Sequence, residues 1–213
     1  MQTDTNRDKL LAAGSRLILA QGYAGCGLRD ITTAAGLPAS SFSSHFPSKE
    51  AFGLEIMERH YAAHYQLMRS TLRADALPAP LRLQRYFAAL LESLDGEAAC
   101  HGCLFGRLCT EGSSQTELMH SRLADMLLQI QRSLAYCLSA VRRAGMLPSH
   151  SEVDELAAFA LASLQGAMLL SRTQRNLAPL RSCQHQLLQL LGCSDSEPQE
   201  VHAAVDVEYA NIP

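Results

Sequence analysis

The spacing of apolar residues is the feature that most limits what this chain can fold into. Nearly every segment repeats its apolar residues at intervals of three and four, which is the period of one face of an α-helix. No segment has the alternating pattern of a β-strand. Of the 213 residues, 47% are apolar and 18% are charged, which is typical of a water-soluble protein with a packed core. The sequence therefore predicts an all-α fold of about nine helices.

Prolines and glycines separate the predicted helices, and Ser48 and Ser114 are predicted N-terminal caps. The helices are expected over about 4–22, 28–35, 39–46, 49–72, 80–94, 103–111, 115–144, 151–175 and 179–191. The first three form a small head, residues 1–47, on a larger bundle, residues 48–193. The polar segment 194–213 is expected to be a mobile tail.

The sequence has no feature of an exported protein or a membrane protein. Its N-terminus lacks the apolar core of a secretory signal. It has no uninterrupted run of about 18 to 20 apolar residues, the length that a membrane helix requires. Seven cysteines at uneven spacing indicate free thiols in a reducing compartment. We therefore expect a cytoplasmic location and no membrane partner.

The segment GLPASSFSSHFPSKEAF predicts a short helix with one apolar side and one hydroxyl-rich side. Ala39, Phe42 and Phe46 share a stripe that we expect to pack against Leu28, Ile31 and the first helix. The outward residues are then Ser40, Ser41, Ser43, Ser44 and His45. Small hydrogen-bonding groups on a short helix fit the major groove of DNA, and the preceding helix and turn complete a helix-turn-helix. Spacing alone also allows a capped helix with no such role.

A cysteine-rich segment, CHGCLFGRLCTE, allows several interpretations. A zinc site needs about four ligands, and only His101 and His120 supplement the thiols. A catalytic dithiol formed by Cys100 and Cys103 would be expected to follow a strand, and none is predicted. Cys103 begins the short helix, where backbone amides favour a reactive thiolate and Arg107 could add positive charge. Alternatively, Cys103 only packs as a small apolar residue.

The segment LILAQGYAGCGLRDITTAAGLPASSFSSHFPSKEAF resembles, without gaps, the DNA-binding domain of TetR-type transcriptional repressors. The residues in register are Gly22, Gly36, Phe42, Phe46, Lys49 and Glu50. The resemblance implies a homodimeric repressor without enzymatic activity or cofactor, whose residues 1–47 read double-stranded, near-palindromic operator DNA. It also implies that the bundle of residues 48–193 dimerises and senses a small-molecule or reactive electrophile effector.

The predicted recognition helix departs from this family at several positions. Members usually carry Lys and Gly where Ala39 and Ser40 stand, and Tyr-His-Tyr at positions 43–45. Losing one phosphate-binding cation should make the salt dependence of DNA binding shallower by about one unit. We therefore expect an altered operator preference, weaker binding, or reliance on four other residues. These are Arg29, Thr32, Thr33 and Lys49.

Two further segments, residues 47–68 and HGCLFGRL, resemble the electrophile-responsive and acrylate-responsive repressors of the same family. The resemblance implies that Cys103 is a sensor thiol for electrophiles or oxidants. Arg172 stands where a relative carries an assisting lysine, and arginine can stabilise a thiolate but is a poor nucleophile. Cys100 is a candidate resolving thiol, and Tyr65 is a candidate lining residue of an effector pocket.

Three weaker patterns complete the sequence-based predictions. His60 and His64 have a spacing that can hold a metal, but a solvated or pocket-edge pair is favoured and no metal is predicted. The segment LAAFALASLQGAMLL predicts close helix packing across a dimer axis, together with the last helix. Four further cysteines are predicted to be core residues or to have no specific role: Cys26, Cys137, Cys183 and Cys193.

Overall fold

The structure, a computed structural model, describes residues 5–94, 103–111 and 116–193. These residues form nine helices and no strand, which confirms the all-α prediction. The helices are α1 (Asn6–Gly25), α2 (Leu28–Ala34), α3 (Ser40–His45), α4 (Lys49–Ser70), α5 (Ala79–Glu92), α6 (Leu104–Cys109), α7 (Glu117–Arg143), α8 (Val153–Gln174) and α9 (Ala178–Leu190). The predicted cap Ser114 and the predicted tail 194–213 lie outside the described residues.

The end of α1 differs from the prediction. The sequence predicts a stop at Gly22, whereas α1 bends there and continues to Gly25. The backbone at Gly22 has φ 87° and ψ 165°, a conformation that residues with a Cβ rarely adopt. Glycine therefore marks a break inside the helix rather than its end.

The described residues divide into two compact units. The first contains residues 5–62, 103–111 and 116–125, and the second contains residues 63–94 and 126–193. Helices α4 and α7 each have residues in both units. The boundary that we expect between residues 47 and 48 stays a prediction.

The first unit packs α1, α2 and α3 around buried side chains that include Leu10, Ile18 and Ile31. Thr5 caps α1, because its hydroxyl accepts a hydrogen bond from the amide of Asp8. Asp8 also pairs with Arg59 of α4, whose Nη2 lies 2.9 Å from the Asp8 Oδ1. These contacts hold the start of α1 against α4.

In the second unit, α9 packs against both α5 and α8. Tyr86 and Phe87 of α5 are each 1% exposed, so they belong to the core of this unit. The buried Gln184 of α9 donates a hydrogen bond from its Nε2 to the backbone oxygen of Phe87, at 2.7 Å. This hydrogen bond links α9 to α5, and it gives the buried Nε2 of Gln184 the partner that a buried polar atom requires.

Helix α8 is unusually apolar for its degree of burial. By length and composition alone it could cross a membrane, since an 18-residue stretch of it has a mean hydropathy of 1.4. Only 28% of that stretch is buried, so most of its residues are at least partly exposed. Its outward apolar residues include Phe159, Leu169 and Leu170, each more than half exposed. Core and interface helices of water-soluble proteins have the same composition, and α8 therefore presents a face suited to another apolar surface.

Candidate DNA-binding surface and cysteine helix

Helix α3 is braced from behind by aromatic rings. Phe42 and Phe46 are 4% and 3% exposed, and both rings contact Phe52 of α4, with centroid separations of 5.1 and 4.8 Å. The Phe42 and Phe46 rings lie 5.5 Å apart. The Phe46–Phe52 pair meets edge to face, the arrangement that aromatic quadrupoles favour. The two phenylalanines are therefore buried as predicted, but Phe52 was not among their predicted partners.

Two apolar residues predicted to join this packing are exposed instead. Ala39 precedes the first residue of α3 and faces solvent, because the helix begins at Ser40. Leu28 opens α2 and is 43% exposed, whereas Ile31 of the same helix is fully buried. The buried stripe behind α3 is therefore narrower than the sequence predicts.

The serine face of α3 is turned outward. Ser40, Ser43 and Ser44 are exposed, and Ser41 is half-buried. The hydroxyls of Ser43 and Ser44 donate to the backbone oxygen of Ser40, at 3.0 and 3.1 Å. This local bonding leaves the hydroxyl oxygens available as acceptors on the surface. The face can therefore approach a partner closely without steric demand.

Helix α2 presents Arg29 and Thr33 to solvent but not Thr32. Thr32 is 2% exposed, and its hydroxyl lies within hydrogen-bonding distance of the backbone oxygens of Leu28 (3.2 Å) and Arg29 (3.0 Å). A buried hydroxyl that is bonded inside its own helix cannot reach a phosphate. The prediction of Thr32 as a DNA contact is therefore wrong on this geometry.

The start of α4 adds a cation beside this surface. Ser48 caps the helix as predicted, because its Oγ accepts a hydrogen bond from the amide of Ala51 at 3.0 Å. The Lys49 ammonium lies over the ring of Tyr23, 4.6 Å from its centroid. This cation–π contact with Tyr23 keeps the side chain of Lys49 close to the protein surface. His45, in the last turn of α3, is half-buried.

Helix α6 carries the candidate sensor cysteine at its N-terminal cap position. Cys103 is half-buried, and its backbone oxygen accepts the amide of Arg107 at 2.9 Å. The Arg107 guanidinium forms an ion pair with Glu111, with 3.0 Å between Nε and Oε1. The charge of Arg107 is therefore paired with Glu111, and the role of Arg107 beside the Cys103 thiol stays a prediction.

Glu111 is a candidate functional residue that the sequence reasoning missed. Its Oε2 accepts a hydrogen bond at 3.1 Å from the backbone amide of Ala24, which is 87 residues away along the chain. The spacing of Arg107 and Glu111 by four residues is visible in the sequence and indicates a helical ion pair. The contact with α1 depends on tertiary packing, so spacing could not reveal it.

Most of the other described thiols are structural. Cys26, Cys137 and Cys193 are buried, which agrees with the prediction that they belong to the core. Burial raises the pKa of Cys137 to about 12 and that of Cys193 to about 11, so both stay protonated at neutral pH. Cys183 is half-buried, and Cys109 at the end of α6 is exposed. Cys100 and His101 lie outside the described residues.

The two histidines of α4 each have an aromatic neighbour. His64 is hydrogen-bonded to the Tyr86 hydroxyl at 3.0 Å, and His60 packs edge-on against Phe105 with ring centroids 4.7 Å apart. Burial lowers the pKa of His60 to about 4, so its imidazole is neutral at physiological pH. Among the residues that the structure describes, no group of three His, Cys, Asp or Glu side chains could hold a metal ion.

The remaining sensor candidates lie in the second unit. Tyr65 is 43% exposed and Arg172 is half-buried, whereas Cys103 belongs to the first unit. A joint effector site formed by these three residues stays a prediction.

Two family models match this chain. Residues 10–56 match the N-terminal model described as bacterial regulatory proteins, tetR family. Residues 80–186 match the model described as transcriptional regulator LmrA/YxaF-like, C-terminal domain. The first match contains the helices α2 and α3 and the serine face.

Characterised relatives show the same relationship. The chain is 36% identical to the HTH-type transcriptional repressor DhaR of Mycobacterium sp. (strain GP1), over 82% of this chain and 86% of that protein. It is 31% identical to the HTH-type transcriptional repressor NemR of Escherichia coli (strain K12), over 83% of this chain and 88% of that protein. The structure of reduced E. coli NemR superposes with a TM-score of 0.77 at 30% identity, covering 86% of this chain and 95% of that chain. The chain therefore belongs to the TetR family of bacterial transcriptional regulators, whose members are regulators rather than enzymes.

Proposed function

We propose that this TetR-type repressor binds a near-palindromic operator by inserting α3 into the major groove. The main support is the outward serine face of α3, seated on the buried rings of Phe42, Phe46 and Phe52. The proposed DNA contacts are Arg29, Thr33, Ser40, Ser41, Ser43, Ser44, His45 and Lys49. A repressor acts where the chromosome lies, so we expect a cytoplasmic protein.

The operator symmetry requires two copies of the chain, and α8 and α9 offer the surface for pairing. Phe159, Leu169, Leu170 and Leu190 are each more than half exposed. Gly166 lies among them in α8, and a Cβ at this position would contact nothing within 4 Å in its own chain. A glycine inside a helix costs about 1 kcal/mol relative to alanine, so its presence fits a close approach by a partner helix. We infer a homodimer with recognition helices about 34 Å apart, one turn of duplex.

We propose further that an electrophile or oxidant releases the repressor by reacting at Cys103. The support is the half-buried position of Cys103 at the start of α6 and the resemblance of this segment to electrophile-responsive repressors. A substituent on the sulfur would displace α6 and shift the population away from the DNA-binding conformation. A coupling free energy of about 1–3 kcal/mol is enough for a working switch.

A noncovalent inducer is the second candidate, and it keeps the same DNA-binding role. Replacing Cys103 distinguishes the covalent mechanism from the noncovalent one. Titrating fluorescent duplex from the upstream region of its own gene should show release of the wild type by N-ethylmaleimide. Cys103→Ser should bind the duplex equally well but lose this response.

Cys109→Ser is the matched control, because Cys109 is an exposed thiol on the same helix. It should respond to N-ethylmaleimide like the wild type. A Cys103→Ser variant that is still released would overturn the covalent mechanism and favour a noncovalent inducer. Failure of the wild type to bind any duplex from that region in the absence of an effector would contradict the proposed operator.

A further inference from the structure

We infer that Glu111 is a positioning residue that joins α6 to the DNA-binding head, and that Arg107 acts by orienting it. The inference uses the DNA-binding role of the family, and its last experimental arm rests on the proposed electrophile response. Its basis is a set of contacts between the turn that follows α6 and the last turn of α1.

The central contact is the hydrogen bond from the Ala24 amide to Glu111 Oε2, at 3.1 Å. Ala24 lies just after the break at Gly22, in the last turn of α1. The side chain of Glu111 is 13% exposed, but Ala24 is exposed, so this bond lies at the protein surface. A hydrogen bond from an amide to a carboxylate is charge-assisted and is therefore stronger than one between neutral groups.

Arg107 completes the arrangement around the break in α1. Its Nε lies 3.0 Å from Glu111 Oε1, which leaves Oε2 directed to Ala24. A Cβ on Gly22 would lie 2.1 Å from Glu111 Oε1 and 2.7 Å from Arg107 Nη2. The ion pair therefore occupies the space beside Gly22. It fits there because glycine has no side chain.

The bonded turn leads directly into the helices that carry the proposed DNA contacts. Tyr23, next to Ala24, is 6% exposed and lies beneath the ammonium of Lys49. Only Cys26 and Gly27 separate the end of α1 from α2. The hydrogen bond at Ala24 thus fixes the turn from which α2 and then α3 start.

The opposite end of α6 begins at Cys103. Cys103 directly precedes the first residue of α6, and Glu111 lies two residues after its last residue, Cys109. The six-residue α6 and the turn after it connect the two positions, so we expect a displacement at Cys103 to reach Glu111 and either to move the turn at Ala24 or to break its bond to Glu111. Glu111 therefore sets the position of the head in the DNA-binding state and is the point at which that position can be released.

The test uses the full-length protein and a duplex that the wild type selects from a random-sequence pool. Glu111→Ala should weaken DNA binding by about tenfold or more, the loss that follows removal of a hydrogen bond to a charged group. Hydrogen exchange of the Ala24 amide should become faster by a similar factor, at a temperature far below thermal unfolding. Glu92→Ala, which removes an exposed carboxylate from α5, should change neither quantity.

Arg107 variants test whether this residue acts through Glu111. Arg107→Lys keeps the positive charge and should retain DNA affinity close to that of the wild type, whereas Arg107→Gln should weaken binding. In the Glu111→Ala background, Arg107→Gln should have no further effect, because its partner is already absent. Additive losses would show that Arg107 acts independently and would overturn its assigned role.

Unchanged DNA affinity and unchanged exchange at Ala24 in Glu111→Ala would overturn the inference, even if the melting temperature fell. A separate arm adds N-ethylmaleimide. If N-ethylmaleimide releases the wild type from DNA, it should reduce the DNA affinity of Glu111→Ala by a smaller factor than that of the wild type. An equal reduction in the two proteins would count against coupling between Cys103 and Glu111. If the wild type itself is not released, the electrophile mechanism fails, while the role of Glu111 is still decided by affinity and exchange.

Discussion

Phe46 illustrates at the scale of one residue how the head holds its recognition helix. It follows the last residue of α3, and its ring contacts both Phe42 and Phe52. The guanidinium of Arg7 lies 5.0 Å from the ring centroid. The ring therefore links α3, α4 and the start of α1 at one point.

Replacing Phe46 by alanine should lower the free energy of unfolding by about 3–5 kcal/mol, the usual cost of removing a buried phenylalanine ring. Urea unfolding at fixed protein concentration measures this change. Leu28→Ala is the control, since Leu28 is 43% exposed in the same unit, and it should cost less than about 0.5 kcal/mol. Equal losses for the two variants would contradict the packing around Phe46.

His60 predicts a pH dependence of stability. Burial lowers its pKa from 6.5 to about 4, so between these values the unfolded chain binds a proton that the folded chain does not. Stability should therefore fall as the pH is lowered through this window, by on the order of 1–2 kcal/mol at pH 5. Urea unfolding of wild type and His60→Gln at pH 7 and pH 5 measures this contribution.

The His60→Gln variant should lose less stability between the two pH values than the wild type. His185→Gln, which replaces an exposed histidine of α9, should behave like the wild type. If His60→Gln and His185→Gln give the same pH dependence, His60 does not titrate as its burial indicates.

At the scale of elements, α3 combines a buried aromatic attachment with a face that carries no lysine or arginine. The cations proposed to bind phosphates lie on neighbouring helices, Arg29 on α2 and Lys49 on α4. The binding energy from phosphates should therefore depend on α2 and α4, while α3 supplies short polar groups to the groove.

Restoring a cation at the start of α3 tests this division. Ala39 is exposed, so Ala39→Lys can reach a phosphate without disturbing the core. The slope of log K against log salt should become steeper by about 0.9, the contribution of one neutralised phosphate. Ser121→Lys adds the same charge to an exposed position of α7 and should leave the slope unchanged. Equal slopes for wild type and Ala39→Lys would contradict the placement of α3 in the groove.

At the scale of the whole molecule, the proposed function requires two copies of the chain, and the apolar face of α8 and α9 is the proposed contact. Leu170 of α8 is 52% exposed, and the exposed part of an apolar side chain does not stabilise an isolated chain. An interface leucine contributes about 1.5–3 kcal/mol in each protomer when it is buried. A charge at this position would have to be buried without a partner.

Leu170→Asp should therefore produce monomers at concentrations at which the wild type sediments as a dimer, and it should weaken operator binding in parallel. Sedimentation velocity and duplex titration measure the two effects. Leu118→Asp is the control, because Leu118 is 58% exposed on α7 and lies outside this face. Dimeric Leu170→Asp would place the interface elsewhere.

Much of this arrangement could be predicted from local sequence. Apolar periodicity and the proline and glycine positions predicted all nine described helices, because amphipathic spacing and capping act within one segment. The phenylalanines behind α3 were predicted for the same reason, since a spacing of four places two rings on one side of a helix. Thr32 was assigned wrongly because helical spacing does not show whether a polar side chain faces solvent or bonds to its own helix.

The sequence by itself determined the helical class, the family resemblance and the hydroxyl-rich composition of α3, because each depends on residues that are neighbours in the chain. Only the tertiary structure decided that Glu111 binds the amide of Ala24. It also decided that Lys49 lies over Tyr23. These contacts join segments whose approach is set by the packing of buried side chains, and no local pattern encodes which distant backbone group a carboxylate will meet.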